Sequence, residues 1–221
     1  MNAIGRPWGP PQSEGTNAMS ITRTYRTEAE CARCWIHDDF DDIPERVRED
    51  ARLDAVVFMP AGVPVFKLDK KVTAGEDRLA MCRLATATNP YFDVSDMEVR
   101  REGNTYTYET LRELRAHYPD NVEFHFIAGA DAVISLGKWR NALELTQLAN
   151  FIAMTRPGYS IEEAQRSIYV GDTRLDVDFL EVPGLNISSS YVRERVAGGH
   201  AIRYVVPDAV CAYIQEHGLY R

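Results

Sequence analysis

Three hydroxyl side chains and an arginine stand close together near the C-terminal end of the chain, in the run Ser188-Ser189-Ser190-Tyr-Val-Arg193. The run follows a short predicted strand and opens a predicted helix over 189–197. Free amides at a helix start, hydroxyl groups and a guanidinium one turn further along all bind phosphate oxygens. Serine is also a common N-cap, but three serines with Arg193 exceed what a cap requires. This run therefore predicts a polyphosphate site.

Small and acidic residues follow another predicted strand, in the run Ile127-Ala-Gly129-Ala-Asp131. A glycine lets a ligand approach the backbone, and a carboxylate such as that of Asp131 accepts hydrogen bonds from two ribose hydroxyls. Trp139, further along, offers a stacking surface for an aromatic ring. A tryptophan in a helical segment is more often part of the core, so both interpretations of Trp139 stay open.

Three further positions carry weaker signals. Lys67, in the loop that begins at Pro60, either presents a cation to a phosphate or is simply solvated. The run Asn104-Thr-Tyr106-Thr107 opens a predicted helix, where exposed amides favour an anion or a polar ring, although Thr105 or Thr107 acting as a plain N-cap explains the run equally well. Arg156, after a predicted strand, would add a second cation besides Arg193 on the same edge of the sheet.

The elements that must position these loops alternate between short β-rich runs and helical patterns. Strands are predicted at 55–59, 92–99, 122–128, 150–155 and 179–182, and helices from Thr73 (with Glu76 completing a capping box), at 107–117, at 189–197 and at 207–217. Strands that alternate with helices form a mostly parallel sheet with helices on both faces. The sequence thus predicts a Rossmann-like α/β domain over 53–221, with ligands bound beyond the carboxyl ends of its strands.

Composition excludes several classes of protein. There are 25 Lys and Arg against 33 Asp and Glu, which gives a formal net charge of −8. An acidic protein lacks the basic surface that general nucleic-acid or anionic-membrane binding needs. No apolar stretch is long enough for a transmembrane helix, and the first 20 residues do not resemble a secretory signal. We therefore expect a cytoplasmic protein without nucleic-acid or membrane partners.

The N-terminal quarter has a different texture. Residues 1–20 are rich in Gly and Pro, which predicts a disordered tail, and the acidic, polar segment 21–52 contains no convincing strand. Cys31, Cys34 and His37 have a spacing compatible with three zinc ligands, but a structural site needs four, so coincidence is favoured. Cys82 and Cys211 lie in helical patterns and are predicted to be core thiols.

Taken together and in this order, the loops resemble those of the bacterial nicotinate-nucleotide adenylyltransferases, members of the nucleotidyltransferase α/β phosphodiesterase superfamily. The resemblance extends from about Leu53 to Tyr220. It is carried by the segments VVFMPAGVPVFK, EDRLAMCRLA, NTYTYETLRELR, FIAGADAVISLGKW, FIAMTRPGY, ISSSYVRERV and RYVVPDAVCAYIQEHGLY.

The resemblance implies transfer of an adenylyl group from ATP, accompanied by Mg²⁺, to nicotinate mononucleotide, and it leaves an oligomeric state possible. It implies ATP contacts at Gly129, Asp131, Arg156, Ser188, Ser189 and Arg193. It implies contacts with the nicotinate nucleotide at Lys67, Tyr106, Thr107 and Trp139.

One part of the family pattern is missing. The family begins with a strand and a loop of the form G-G-T-F-D-P-x-H-x-G-H, whereas this chain has no glycine between Gly15 and Gly62. We therefore expect the first strand to be missing or replaced, and no residue can be assigned as the catalytic histidine. The alternatives are a non-catalytic nucleotide-binding relative that keeps the C-terminal loops, and an N-terminal metal-binding module fused to a degenerate enzyme.

Overall fold

The computed structural model describes residues 25–28, 42–64, 72–155, 160–182 and 188–221. In chain order its elements are β1 (Tyr25–Glu28), α1 (Asp42–Asp50), β2 (Val56–Phe58), β3 (Val63–Pro64), α2 (Gly75–Thr86), β4 (Phe92–Val94), α3 (Met97–Arg100), β5 (Asn104–Thr105), α4 (Thr107–His117), β6 (Phe124–Gly129), α5 (Ala130–Ile134), a 3₁₀ turn (Leu136–Lys138), α6 (Ala142–Leu148), β7 (Asn150–Thr155), α7 (Ile161–Ser167), β8 (Tyr169–Val170), β9 (Thr173–Arg174), β10 (Asp178–Glu181), α8 (Ser189–Ala197) and α9 (Asp208–Glu216). The predicted tail over 1–20 lies outside the described residues.

Six of the strands form one sheet in the order β10-β7-β6-β1-β2-β4, and every neighbouring pair in it is parallel. Parallel neighbours require a crossover connection for each pair, which explains the alternation of strands and helices along the chain. The parallel α/β fold expected from the sequence is confirmed. All six strands consequently end at one edge of the sheet.

The absence of a strand from the segment 21–52 was a wrong expectation. Strand β1 lies in the middle of the sheet, where Thr27 is in register with Val57 of β2 and Tyr25 with Phe124 of β6. Its short polar sequence carries no apolar signal. Pairing on both sides satisfies the backbone groups of β2 and β6, which would otherwise be buried without partners, so the position is occupied despite the sequence. The acidic run 42–50 forms the helix α1.

Alternating residues of the central strands pack into two separate hydrophobic cores, one on each face of the sheet. Phe124 and Phe126 of β6 are buried against α4, α5 and α6, whereas Ile127 points into the opposite core with residues of α2, α8 and α9. Because both faces of these strands are buried, β6 and β7 appear in the sequence as nearly continuous apolar runs. Cys82 and Cys211 are buried in the second core, which confirms their prediction as core thiols.

Two local predictions were wrong. The strand predicted over 92–99 ends at Val94, and Met97–Arg100 forms the short helix α3 instead. The capping box at Thr73 does not form: helix α2 is capped by Ala74 without a side-chain hydrogen bond, and the Thr73 hydroxyl donates to the Tyr220 hydroxyl at 3.2 Å. After Val94 the Ser95 hydroxyl accepts a hydrogen bond from the Met97 amide at 3.2 Å, a local contact at the start of α3. At Thr73 a tertiary contact occupies the hydroxyl that the local pattern assigned to the cap. Among the described residues, no helix is long and apolar enough to cross a membrane.

Candidate active site

The carboxyl ends of the parallel strands bring the predicted loops to one edge of the sheet. Gly129 ends β6 and is followed directly by α5, which carries Asp131. Strand β10 ends at Glu181, ahead of α8 and its N-cap Ser188. The loop that begins at Pro60 follows β2. Ligands in open parallel sheets bind at such an edge, and the location of the ligands here stays a prediction.

A two-residue pairing joins two of the predicted loops. Strand β3 lies parallel to β5, with Val63 opposite Asn104 and Pro64 opposite Thr105. Gly62 is required for this approach, because a Cβ atom there would lie 2.1 Å from the backbone oxygen of Glu98. The Gly62 carbonyl in turn accepts a hydrogen bond of 2.9 Å from Arg78, a largely buried guanidinium that also donates to the Thr73 carbonyl.

Tyr106 and Thr107 stand at the start of α4, next to this pairing. Tyr106 is the N-cap and makes no side-chain capping bond, so the plain N-cap alternative for Thr105 or Thr107 was wrong. The Arg140 guanidinium lies over the Tyr106 ring, 4.6 Å from its centroid, and its Nη1 is 3.4 Å from a carboxylate oxygen of Glu109. The start of α4 therefore faces the segment that contains Trp139.

Trp139 is half-buried, and its indole is held from two directions. Its ring meets the edge of Phe126 at 5.7 Å between centroids, and its Nε1 donates to the Ser135 hydroxyl at 3.1 Å. The chain then turns sharply at Asn141, whose φ of 55° is left-handed and which caps α6. Trp139 thus packs against the core, as one alternative held, while keeping part of its surface exposed.

Gly129 and Asp131 are exposed, and the space beside Gly129 is open. A Cβ atom at Gly129 would meet no other atom within 4 Å. Its φ of −63° is accessible to any residue, so the glycine is not required by the backbone. What it leaves is room beside the strand end, and Asp131 stands in the first turn of the helix that begins there.

The serine run begins α8 with one hydroxyl in a structural role. The Ser188 hydroxyl accepts a hydrogen bond from the Tyr191 amide at 3.1 Å and so acts as the N-cap. Ser189 occupies the first turn, and the exposed Arg193 donates to the Ser190 hydroxyl at 3.0 Å. These contacts are all local to α8, and they leave most of the donors of Arg193 pointing at solvent.

Several predicted residues lie outside the described part of the chain. Lys67 and Arg156 belong to the segments 65–71 and 156–159, and the candidate zinc ligands Cys31, Cys34 and His37 belong to 29–41.

One buried acidic residue near the site, Glu98, was not predicted from the sequence. Glu98 in α3 is 1% exposed and accepts a hydrogen bond of 2.7 Å from the Thr110 hydroxyl. Arg101 donates to the same hydroxyl at 2.7 Å and to Glu113 at 2.6 Å. Burial raises the pKa of the Glu98 carboxyl to about 7, against the lowering effects of Thr110, Arg101 and Arg78. Glu98 falls within the strand predicted over 92–99, and nothing in its sequence marks it as buried.

Comparison with known proteins identifies the family. Residues 41–195 match the cytidylyltransferase-like family. A protein of Thermoanaerobacter sp. (strain X514), named as a probable nicotinate-nucleotide adenylyltransferase, is 44% identical over 182 residues, covering 80% of this chain and 85% of the relative. One of the same name from Frankia casuarinae is 48% identical over 169 residues, covering 76% and 86%.

Solved structures share the fold. The nicotinic acid mononucleotide adenylyltransferase of Plasmodium falciparum complexed with APC superposes with a TM-score of 0.68 at 16% identity, over 90% of this chain and 97% of that one. The same enzyme complexed with NaAD gives a TM-score of 0.65 at 17% identity. At such identities the likeness concerns the fold, and the relationship is carried by the bacterial relatives. On that sequence identity, this chain belongs to the nicotinate-nucleotide adenylyltransferases, within the cytidylyltransferase-like family.

Proposed function

We propose that this protein transfers the adenylyl group of ATP to nicotinate mononucleotide, giving deamido-NAD and pyrophosphate. The observation that carries the proposal is the 44–48% identity with relatives of that name over at least three quarters of the chain. The arrangement of the predicted loops along one edge of the sheet supports it, because both substrates must meet at one place.

The two substrates divide the edge between them. On the ATP side we assign Gly129 and Asp131 to the ribose, and Ser188, Ser189 and Arg193 to the triphosphate; Arg156 belongs to this side by resemblance. The open space beside Gly129 and the solvent-facing donors of Arg193 support these assignments. The Mg²⁺ enters with ATP as part of that substrate.

On the nicotinate side we assign Tyr106, Thr107 and Trp139, with Lys67 by resemblance. The exposed part of the Trp139 indole would stack on the pyridine ring, and the uncapped first turn of α4 offers amides and a positive helix dipole to an anionic group. Contacts of the indole with Phe126 and Ser135 hold it ready for stacking before the ligand arrives.

In the reaction, a phosphate oxygen of nicotinate mononucleotide attacks the α-phosphorus of ATP in line. A new P–O bond forms there while the bond from the α-phosphorus to the bridging oxygen breaks, and pyrophosphate leaves with that electron pair. Such transfer requires little covalent help from the protein, because positioning and charge stabilisation supply most of the acceleration. The residues assigned above supply positioning.

A second candidate function follows from the missing glycine-rich loop. The chain has no glycine between Gly15 and Gly62, and the family match begins only at residue 41. Without the histidine-containing loop of the family, the rate is expected to fall by orders of magnitude. The alternative is therefore a relative that binds nucleotides and does not turn them over.

One experiment separates the two candidates. The full-length protein is incubated with nicotinate mononucleotide, ATP and Mg²⁺, and deamido-NAD is measured by mass spectrometry, while calorimetry measures the binding of each ligand separately. Product formed at an enzymatic rate, and formed more slowly by Trp139→Ala at limiting nicotinate mononucleotide, supports adenylyl transfer. Saturable binding without product supports the non-catalytic relative, and folded protein that binds neither ligand contradicts both.

A further inference from the structure

Glu98 is the one acidic or basic side chain among the buried residues that the structure describes. A buried carboxylate is costly unless hydrogen bonds and opposite charges compensate it. Its retention at 1% exposure, beside the candidate site and not facing into it, calls for an explanation that the reaction itself does not supply.

Glu98 joins two segments that meet at the nicotinate side, the loop that contains Gly62 and the helix α4. Its backbone oxygen is in direct contact with Gly62, in the loop that pairs through β3 with β5. Its carboxylate accepts from Thr110 in the second turn of α4, and the Thr110 hydroxyl also lies 3.5 Å from the Tyr106 carbonyl. Glu98 therefore contacts both sides of the β3–β5 pairing, the Gly62 side through its backbone and the α4 side through its carboxylate.

Arg101 completes the connection. Its two terminal nitrogens bind Thr110 and Glu113, which lie three residues apart on one face of α4. The α3 segment therefore holds α4 at two successive positions. Because Tyr106 caps α4 and Thr107 begins it, the same contacts set the direction in which these two residues face.

We propose that Glu98 is a positioning residue, which orients Tyr106 and Thr107 for nicotinate mononucleotide through Thr110 and Arg101. The inference rests on the proposed function, since it assumes that these two residues meet that ligand. It does not require the chain to catalyse the reaction, because positioning affects binding as well as turnover.

The ionised form of Glu98 is the form that orients Tyr106 and Thr107. A carboxylate accepts the Thr110 hydroxyl and attracts Arg101 and Arg78, whereas the protonated acid loses both the charge and the attraction. The charged groups that act on it are Arg78 from α2, Arg101 after α3 and Glu113 from α4. With its pKa near 7, the carboxyl ionises within the ordinary working range, and the neutral amide of Glu98→Gln resembles the protonated acid.

The test is calorimetric binding of nicotinate mononucleotide to the full-length wild-type protein and to Glu98→Gln at several values between pH 6 and pH 8. The dissociation constants are expected to be similar at pH 6, and the variant is expected to bind about tenfold more weakly at pH 8, as the loss of one charge-assisted hydrogen bond predicts. The titration of the ligand's own phosphate is common to both proteins and cancels in the ratio. Binding of ATP with Mg²⁺ is expected to stay within about twofold.

A matched pair at Thr110 guards against a variant that fails to fold. Thr110→Val keeps the shape and removes the hydroxyl, and it is expected to weaken nicotinate mononucleotide at pH 8 as Glu98→Gln does. Thr110→Ser keeps the hydroxyl and is expected to bind like the wild type. Glu102→Gln removes an exposed carboxylate one residue after Arg101; it is the control and is expected to change binding by less than about twofold.

A ratio that stays constant across the pH range, or an equal loss for ATP, would overturn the inference in favour of a purely structural role. Wild-type protein that does not bind nicotinate mononucleotide would overturn it as well. Binding with the expected pH dependence but without formation of deamido-NAD would leave the inference standing and contradict the catalytic function.

Discussion

The two sides of the candidate site differ in how firmly the protein holds them. On the nicotinate side, Gly62, Glu98 and Thr110 are tied together by backbone contact and hydrogen bonds from Arg78 and Arg101. On the ATP side, Asp131 and Arg193 are exposed, and the contacts of Ser188 and Arg193 stay within α8. The nicotinate side is therefore held in place before a ligand binds, whereas the ATP side consists of exposed side chains.

Because of this difference, substitutions on the two sides are expected to affect stability and ligand binding differently. A substitution on the nicotinate side disturbs packing and ligand geometry together, since the same contacts serve both. On the ATP side a substitution removes a ligand contact from an exposed surface, where stability changes little.

The largest effect on stability is expected at Gly62. Gly62→Ala places a Cβ atom 2.1 Å from a backbone oxygen, so main chain must move, and we expect a loss of about 3 kcal/mol in the free energy of unfolding. The measurement is urea denaturation. Gly129→Ala is the matched control, because its Cβ atom enters open space, and it should change stability by less than about 0.5 kcal/mol. Equal losses in the two variants would remove the contrast.

The free energy of unfolding is expected to depend on pH through the ionisation of Glu98. Burial raises the pKa of this carboxyl from its ordinary 4.5 to about 7, so the folded state binds the proton more tightly than the unfolded chain. The resulting stabilisation is complete below pH 4.5 and is lost as the pH rises through 7, by about 3 kcal/mol in total. Denaturation of wild type and Glu98→Gln between pH 5.5 and 8 measures it, and the variant is expected to show the flatter curve. Parallel curves for the two proteins contradict the prediction.

Substitution of the tryptophan should separate the two ligands. Trp139→Ala removes the stacking surface and is expected to weaken nicotinate mononucleotide about thirtyfold, equivalent to about 2 kcal/mol, with ATP affinity changed by less than about twofold. Trp139→Phe keeps a ring and should recover most of the affinity. Calorimetric titration with each ligand checks this, and equal losses for both would undo the division of the edge.

The smallest effect is expected on the ATP side. The double variant Ser189→Ala with Arg193→Ala should weaken ATP about tenfold, as the loss of charge-assisted hydrogen bonds predicts, and leave nicotinate mononucleotide and thermal stability unchanged. Arg195→Ala is the control, since the Arg195 guanidinium is turned towards the Ala201 carbonyl. A fall in melting temperature in the double variant alone would mean that this side is structural as well.

Local patterns predicted much of the fold. The helix over 107–117 and the strand over 150–155 have the bounds that the sequence pattern predicted. The apolar residues that each element buries lie close together in the sequence, so a short window is enough to recognise them. The order of the loops also determined which of them would reach the carboxyl edge of the sheet. The family resemblance followed from the same segments.

Other features depended on residues far apart in the chain. Strand β1 exists because β2 and β6 both pair with it, and the pairing of β3 with β5 depends on Gly62 meeting Glu98 across some 36 residues. The burial of Glu98, which raises its pKa against the lowering effects of Arg101 and Arg78, depends on segments that are distant in the chain. The sequence by itself determined which elements form and in which order. Only the tertiary structure decided which polar groups lose water and find partners, because desolvation and backbone pairing are set by the neighbours in space.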